Sequence, residues 1–212
     1  MIKWIIFDAM GVVFTESDDV RNILIPFVQE RSPISKDEIY TVYRRANLGE
    51  INPREFWKYV GLGYKYPEIE TMYLDSRSDL DSGFVPTARA LSKKYSIGML
   101  SNDIREWSAY LRNKFSINFF DVVVVSSDVY CRKPDPPIFA HFLKNAKAHA
   151  EECILIDDRS KNLATAQAIG MKTIHFTRIK EKSEDEKYDF VPDGRIISFE
   201  QLEDTIERIR RQ

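Results

Sequence analysis

The sequence predicts an α/β fold in which a doubly wound parallel sheet carries an inserted four-helix cap. After residue 83, short apolar runs alternate with segments of helical pattern, which predicts parallel strands joined by right-handed crossovers. Between about residues 17 and 80 the pattern is helical, with no convincing strand. We therefore expect residues 1–15 and 83–212 to form the core domain and residues 16–82 the cap domain.

Composition narrows the classes of partner. Apolar residues make up 43% and charged residues 30% of the 212-residue chain, and its formal net charge is −2. A packed core is expected, whereas nucleic acid and an anionic membrane surface are not expected as partners. The chain shows no apolar run of the roughly 18 residues that span a membrane and no signal-peptide pattern. Two cysteines without C-x-x-C spacing indicate reduced thiols, so a cytoplasmic location is expected.

The first strand is predicted over residues 2–8, an apolar run that ends in Asp8 and turns at Gly11. In open α/β sheets, ligands bind at the carboxyl ends of the strands. Asp8 is therefore a candidate site residue.

Capping residues predict the four helices of the inserted segment. The predicted starts are Asp18 or Asp19, Ser35, Asn52 and Pro67. Ser35 is followed three residues later by Glu38, which is the spacing of a capping box. Pro53 occupies the first helical position after Asn52, where its missing N–H costs nothing.

Strands and helices alternate in the remaining chain. The strands are predicted over residues 96–102, 120–126, 153–156, 172–176 and 195–197. The helices are predicted over residues 86–95, 106–115, 136–146 and 163–169, followed by a terminal amphipathic helix. The charged run at residues 180–189 is expected to be a solvated connector.

Polar residues with related chemistry follow four of these strands. They are Asp8, then Ser101 and Asn102, then Lys133, and finally Asp157, Asp158 and Asn162. Crowded carboxylates favour a hard divalent cation, and a lysine together with a serine hydroxyl can hold phosphoryl oxygens. A carboxylate in line with phosphorus can attack it. This edge of the sheet is therefore predicted to handle a phosphate.

Each residue also has a structural interpretation when it is taken alone. Asp8 could be a turn residue, Ser101 a helix cap, Lys133 a surface lysine, and the paired acids a helix cap. Their joint occurrence at strand ends favours a site. The neighbouring residues are expected to be structural: Asp103 as a helix cap, Arg132 and Arg159 as solvated side chains, and Phe56, Trp57, Tyr64 and Tyr66 chiefly as cap core.

Four ordered motifs resemble those of the haloacid dehalogenase-like hydrolases, in the subgroup with a helical cap inserted after the first motif. These motifs are Phe7-Asp8-x-x-Gly11-Val12, Leu100-Ser101-Asn102, Lys133-Pro134-Asp135-Pro136-x-Ile138-Phe139 and Ile156-Asp157-Asp158-x3-Asn162. The resemblance implies a Mg²⁺-dependent phosphatase that acts on a small phosphorylated metabolite through an aspartyl-phosphate.

The resemblance also implies roles for individual residues. Asp8 would be the nucleophile, Ser101 and the amide of Asn102 would bind the phosphoryl group, and Lys133 would pair with Asp8 and the phosphate. The implied Mg²⁺ ligands are Asp8, the backbone carbonyl of Met10, Asp158 and, directly or through another ligand, Asp157. Asn162 would orient the acidic loop.

Met10 departs from this pattern. Phosphatases of the family usually carry a second aspartate at this position, which protonates the leaving alkoxide and then activates water. Methionine can do neither, although its carbonyl can still bind a metal. Two alternatives therefore stay open: a 2-haloacid dehalogenase-like hydrolase, and a catalytically impaired member that binds a phospho-ligand. The retained pair Asp157 and Asp158 argues against dehalogenation, since the dehalogenases lack it.

Overall fold

A computed structural model describes residues 1–178 and 190–211, and within them six strands form one parallel sheet. The strands are Trp4–Phe7 (β1), Ser96–Ser101 (β2), Val122–Val125 (β3), Cys153–Asp157 (β4), Lys172–Phe176 (β5) and Gly194–Ile196 (β6). Their number, order along the chain and parallel pairing agree with the predicted fold class. The connector predicted at residues 180–189 lies outside the described residues.

The strand order is β3-β2-β1-β4-β5-β6, so the direction of winding reverses between β1 and β4. In doubly wound sheets such a reversal opens a crevice at the carboxyl ends of the two strands, where ligands bind. β1 is central and its residues Ile5, Ile6 and Phe7 are fully buried, which explains why this strand is a continuous apolar run.

Four α-helices lie in the segment between about residues 17 and 80 that was predicted to be helical. They are Ile25–Gln29 (α1, preceded by a wider helical turn at Val20–Leu24), Lys36–Asn47 (α2), Pro53–Tyr59 (α3) and Glu68–Ser76 (α4). Ser35 with Glu38 forms the predicted capping box, and Asn52 forms a second one with Glu55. Asp19 stands at the start of the first helical turn, but its side chain makes no cap hydrogen bond.

Six further helices follow in the described chain. They are Phe84–Leu91 (α5), Arg105–Lys114 (α6), Ser126–Val129 (α7), Pro136–Ala146 (α8), Ser160–Ala168 (α9) and Leu202–Arg210 (α10). Apolar residues of α5, α6 and α10 pack with Ile5 and Phe7 on one face of the sheet, and those of α8 and α9 pack with Ile6 on the other. The short helix α7 was not predicted. Within the described ranges, no helix combines the length and the apolar content needed to cross a membrane.

The apolar core of the inserted helices extends into the core helix α6. Ile104 and Trp107 belong to this cluster, and the Trp107 ring lies 4.9–6.3 Å from four aromatic rings of the inserted segment, those of Tyr43, Phe56, Trp57 and Tyr73. The Glu70 carboxylate accepts hydrogen bonds from the indoles of Trp57 at 3.0 Å and Trp107 at 2.8 Å. The inserted helices are therefore packed firmly over the carboxyl end of β2.

Candidate active site

The candidate site lies at the carboxyl ends of β1, β2 and β4, which are neighbours in the sheet. A cavity of about 160 Å³ lies between this edge and the inserted helices. From the core it is lined by Asp8, Met10, Ser101, Asn102, Arg132, Asp158, Arg159, Lys161 and Asn162. From the inserted segment it is lined by Ser17, Asp18, Asp19, Val20, Arg21, Tyr40 and Tyr43.

Lys133 connects two carboxylates beneath this cavity. Its Nζ atom lies 2.9 Å from Oδ1 of Asp8 and 2.6 Å from Oδ2 of Asp157, and its side chain is only 1% exposed. Burial opposes the ammonium charge, but the charges of Asp157 and Asp8 outweigh it and raise the pKa of Lys133 above its ordinary value. Lys133 is therefore a buried, permanently charged group at neutral pH.

Asn102 holds the loop that carries Lys133. Its Nδ2 atom donates to the carbonyl of Lys133 at 2.9 Å, and its Oδ1 atom accepts from the amide of Lys133 at 2.8 Å. These two hydrogen bonds connect the end of β2 to the loop after α7. The side chain of Asn102 therefore positions Lys133, and only its backbone amide is left for the predicted contact with a phosphoryl group.

Three carboxylates form a compact acidic cluster at the same edge. One oxygen from each of Asp8, Asp157 and Asp158 lies within 4.8 Å of the other two. Burial and the charge of Asp157 raise the pKa of Asp8 to about 7, and burial with the charges of Asp157 and Asp8 raises the pKa of Asp158 well above its ordinary value. A set of hard oxygen donors under mutual repulsion suits Mg²⁺, since the cation removes the cost of their crowding.

Asp157 differs from the other two acids. It is completely buried and accepts hydrogen bonds from Asn162 Nδ2 at 3.0 and 3.1 Å, from the amide of Arg159 at 2.9 Å and from Lys133. Both of its oxygens are thus in use, and it does not line the cavity. Asp8 and Asp158 do line it, so they are the acids better placed to hold a cation.

Gly11 is required by the position of Asp158. Its φ of +78° is a left-handed conformation that favours glycine, and a Cβ atom there would lie 2.3 Å from Oδ2 of Asp158. Two residues that the sequence did not indicate contact the backbone carbonyls of Gly11 and Asp158. Arg178 Nε donates to the carbonyl of Gly11 at 3.1 Å, and His175 Nε2 lies 3.1 Å from the carbonyl of Asp158. Neither residue belongs to a motif, so no local signal could have identified it.

Ser101 presents a buried hydroxyl to the cavity. Its residue is 1% exposed, and its Oγ atom has no hydrogen-bond partner within the described part of the chain. An unpaired buried hydroxyl costs about 1–3 kcal/mol. Such a group is available to donate a hydrogen bond to an anionic oxygen that enters the cavity.

Met10 lies on the cavity wall and is 8% exposed. It packs in the same apolar cluster as Phe7 and Val12. The position at which phosphatases with similar motifs usually carry a second aspartate is therefore occupied by a side chain without a titratable proton.

Several neighbouring residues differ from their predicted roles. Arg132 and Arg159 both line the cavity; Arg132 is partly buried rather than solvated as predicted, whereas the Arg159 side chain is 38% exposed. The carboxylate of Asp103 accepts hydrogen bonds from both terminal nitrogens of the fully buried Arg77, each at 2.9 Å. It also accepts one from the amide of Ile104 at the start of α6. Among the cap aromatics, Phe56 and Trp57 are core as predicted, whereas Tyr64 is 76% exposed.

Comparison with known proteins gives a family and several relatives. A family model described as haloacid dehalogenase-like hydrolase matches residues 74–176. A glyceraldehyde 3-phosphate phosphatase of Pyrococcus furiosus is 28% identical over 90% of this chain and 78% of its own length. A sesquiterpene phosphatase of Aspergillus oryzae is 28% identical over 82% of this chain and 90% of its own length.

Two solved structures share the fold. A 2-haloacid dehalogenase from Pseudomonas syringae superposes with a TM-score of 0.73 at 21% identity, over 98% of this chain and 99% of the other. A family enzyme from Bacteroides thetaiotaomicron, crystallised with magnesium and inorganic phosphate, superposes with a TM-score of 0.69 at 20% identity, over 86% of this chain and 98% of the other.

The matched family model spans the strand ends that carry Ser101, Asp157 and Asp158 as well as the loop with Lys133. The superposition on the Pseudomonas syringae structure shows that the fold is shared over nearly the whole chain. The chain therefore belongs to the haloacid dehalogenase-like hydrolases.

Proposed function

We propose that this hydrolase is a cytoplasmic Mg²⁺-dependent phosphatase that acts on a small phosphorylated metabolite through an aspartyl-phosphate on Asp8. The observation that carries the proposal is the contact between Asp8 and Lys133 at the floor of a cavity that also exposes the unpaired hydroxyl of Ser101. Similarity to proteins named as phosphatases supports this activity. In the proposal, residues 1–15 and 83–212 form the core domain and residues 16–82 a cap over the site.

Asp8 is oriented for attack by its own contacts. Its Oδ1 atom accepts from the amide of Ala9 at 2.6 Å and from Lys133, which leaves Oδ2 to approach phosphorus. A new Asp8 O–P bond forms while the P–O bond of the ester breaks, and the alcohol oxygen departs with the electron pair of that bond. Water then hydrolyses the acyl phosphate, which releases phosphate and restores the carboxylate of Asp8.

The other site residues stabilise the negative charge of the phosphoryl group during its transfer to Asp8. The ammonium of Lys133 balances the nucleophile and the phosphoryl group, and the hydroxyl of Ser101, assisted by the amide of Asn102, donates to phosphoryl oxygens. Asp8, Asp158 and the backbone carbonyl of Met10 would hold Mg²⁺, which supplies neutralisation of carboxylate and phosphoryl charge. Asp157 contributes by holding Lys133 in place, and Asn162 by orienting Asp157.

Met10 restricts this chemistry. No acid at its position protonates the leaving alkoxide, and general acid help of that kind is typically worth about 10²–10⁴-fold. Turnover is therefore slow for simple alkyl phosphates and faster for esters whose leaving group needs no proton. The acidic cluster favours this phosphatase over a 2-haloacid dehalogenase, since displacement of halide requires no cation between Asp8 and Asp158.

Hydrolysis of p-nitrophenyl phosphate by the purified protein tests the proposal. Phosphate release is expected with Mg²⁺, and its loss is expected with a chelator or in Asp8→Asn. Release of chloride from 2-chloropropionate without Mg²⁺ would instead establish the dehalogenase. Absence of turnover on aryl, alkyl and acyl phosphates, together with retained phosphate binding, would identify the impaired phospho-ligand-binding member.

A further inference from the structure

Arg132 is a cavity-lining cation that forms no ion pair among the described residues. It is partly buried, and its hydrogen bond within the described chain runs from Nη1 to Oδ1 of Asn47, at 3.4 Å. In residues 1–178 and 190–211, no carboxylate lies within ion-pair distance of its guanidinium. Burial of an unpaired charge is costly, so a guanidinium in this position indicates an anion that is bound during function.

A second arginine strengthens this indication. Burial, and after it the charge of Arg44, lower the pKa of Arg132, whereas Asp135 opposes them with a smaller effect. Arginine keeps its proton at neutral pH even so. Arg44, in the last turn of α2, is therefore near enough for its charge to repel that of Arg132, and an anion bound at Arg132 would reduce this repulsion.

Polar side chains of α2 lie next to Arg132. Asn47 is completely buried and its Nδ2 atom has no hydrogen-bond partner among the described residues. Tyr40 and Tyr43 project from the same helix α2 and line the cavity beside Arg132. The backbone here is held tightly, since the carbonyl of Asn47 accepts from Ser126 Oγ at 2.6 Å.

The other cations of the cavity differ from Arg132. Arg159 Nε lies 3.4 Å from Oδ2 of Asp158, Arg21 Nη1 lies 3.6 Å from Oδ2 of Asp18, and Lys161 is exposed to solvent. The phosphoryl end of the cavity has its own cation in Lys133. Arg132 is therefore the arginine of the cavity lining that forms no ion pair within the described residues.

We propose that Arg132, with Asn47 and α2 beside it, binds a carboxylate carried by the phosphorylated substrate. The substrate class is then a short phosphorylated carboxylic acid, since a cavity of about 160 Å³ is smaller than the roughly 300–1,000 Å³ of pockets for drug-sized ligands. This inference rests on the proposed function for the phosphoryl end, but it concerns a different part of the cavity.

Binding to the Asp8→Asn protein tests the inference separately from catalysis. The probes are 3-phosphoglycerate and glycerol 3-phosphate. The first carries a carboxylate where the second carries a hydroxymethyl group. Calorimetry in the presence of Mg²⁺ measures the affinity of the protein for each. We expect 3-phosphoglycerate to bind about tenfold or more tightly, as a charge-assisted hydrogen bond is worth roughly 1.5–3 kcal/mol. Adding Arg132→Gln is expected to bring the two affinities within about twofold by weakening 3-phosphoglycerate only, and Arg132→Lys to retain part of the preference.

Arg105→Gln is the matched control, because it removes the same charge from an exposed position outside the cavity. It is expected to leave the preference unchanged. Equal weakening of both probes by Arg132→Gln would mean that Arg132 contacts the phosphoryl group, and this result would overturn the inference. A lack of preference in the parent protein, a preference that survives Arg132→Gln, or a failure of both probes to bind would overturn it too. Failure of the proposed function alone would appear as wild-type protein that binds the probes but does not hydrolyse them.

Discussion

The Nζ atom of Lys133 lies 2.6 Å from Oδ2 of Asp157, closer than the 2.9 Å that separate it from Asp8. Asp157 is completely buried and is itself held by the side chain of Asn162 and the amide of Arg159. The ammonium of Lys133 is therefore held by the carboxylate of Asp157 and contacts the carboxylate of Asp8. This arrangement holds an ammonium against Asp8.

Lys133→Met is expected to lower both activity and stability. The substitution leaves Asp8 and Asp157 without their cation, and breaking a buried ion pair on one side costs about 3–5 kcal/mol. Urea denaturation measures the loss of unfolding free energy, and phosphate release measures the loss of turnover. Lys94→Met is the control, because the Lys94–Glu203 pair has a similar separation of 2.9 Å but both side chains are about half exposed. A comparable loss of stability in both variants would contradict the structural interpretation.

Mg²⁺ is expected to stabilise the protein more at pH 8 than at pH 6. The folded-state pKa of Asp8 is about 7, above its ordinary value of 3.8, so the folded state holds this proton more tightly than the unfolded state. Its favourable contribution is complete below pH 3.8 and is lost as the pH rises to about 7. Mg²⁺ binds the ionised carboxylates and replaces the proton, so its effect grows over the same range. Thermal unfolding with and without Mg²⁺ at the two pH values measures this difference.

Asp158→Asn provides the control for the metal prediction. The metal-free variant is expected to have a higher unfolding temperature than the wild type at pH 8, because one of three crowded charges is removed. The rise in unfolding temperature with Mg²⁺ is expected to be much smaller than in the wild type. An undiminished response to Mg²⁺ would show that the cation binds elsewhere.

Met10→Asp is expected to raise turnover of alkyl phosphates by about 10²-fold, the lower end of the usual range for general acid catalysis. Met10 and Asp8 both line the cavity, so a carboxyl group at position 10 would be in the same cavity as the nucleophile. Little gain is expected for p-nitrophenyl phosphate, whose leaving group needs no proton. Met10→Asn is the control, since asparagine has nearly the same shape as aspartate but carries no acidic proton. Equal rates in the two variants would contradict the assignment of this position to proton transfer.

Arg77→Met is expected to destabilise the protein by about 3–5 kcal/mol, since it leaves two buried carboxylates unpaired. Arg77 is fully buried between Asp19 at 2.7 Å and Asp103 at 2.9 Å, and so joins the first inserted helix to the loop after β2. Chemical denaturation measures the change. Arg105→Met serves as control, because the Arg105–Asp128 pair has the same 2.9 Å separation with the arginine 64% exposed. If Arg77→Met unfolds at the wild-type denaturant concentration, the buried network has no stabilising role.

Local patterns in the sequence were sufficient for the architecture. Apolar runs predicted the central strands β1 and β4, since strands covered by helices on both faces bury nearly every side chain. Ser35 and Asn52 predicted the starts of α2 and α3, because capping depends on residues three positions apart. The third strand was predicted to continue through Ser126, whereas β3 ends at Val125 and α7 begins at Ser126.

The sequence by itself determined which acids, lysine and hydroxyl would meet, because residues that follow parallel strands share one edge of the sheet. Only the tertiary structure decided which of the two neighbouring acids faces the cavity. Asp157 accepts hydrogen bonds from Lys133 and Asn162, whereas Asp158 lies against Gly11 and lines the cavity. It also decided that Arg132 meets Asn47 across 85 residues of chain. Local periodicity specifies which face of an element is buried, but the partner that covers each polar group depends on how distant segments pack.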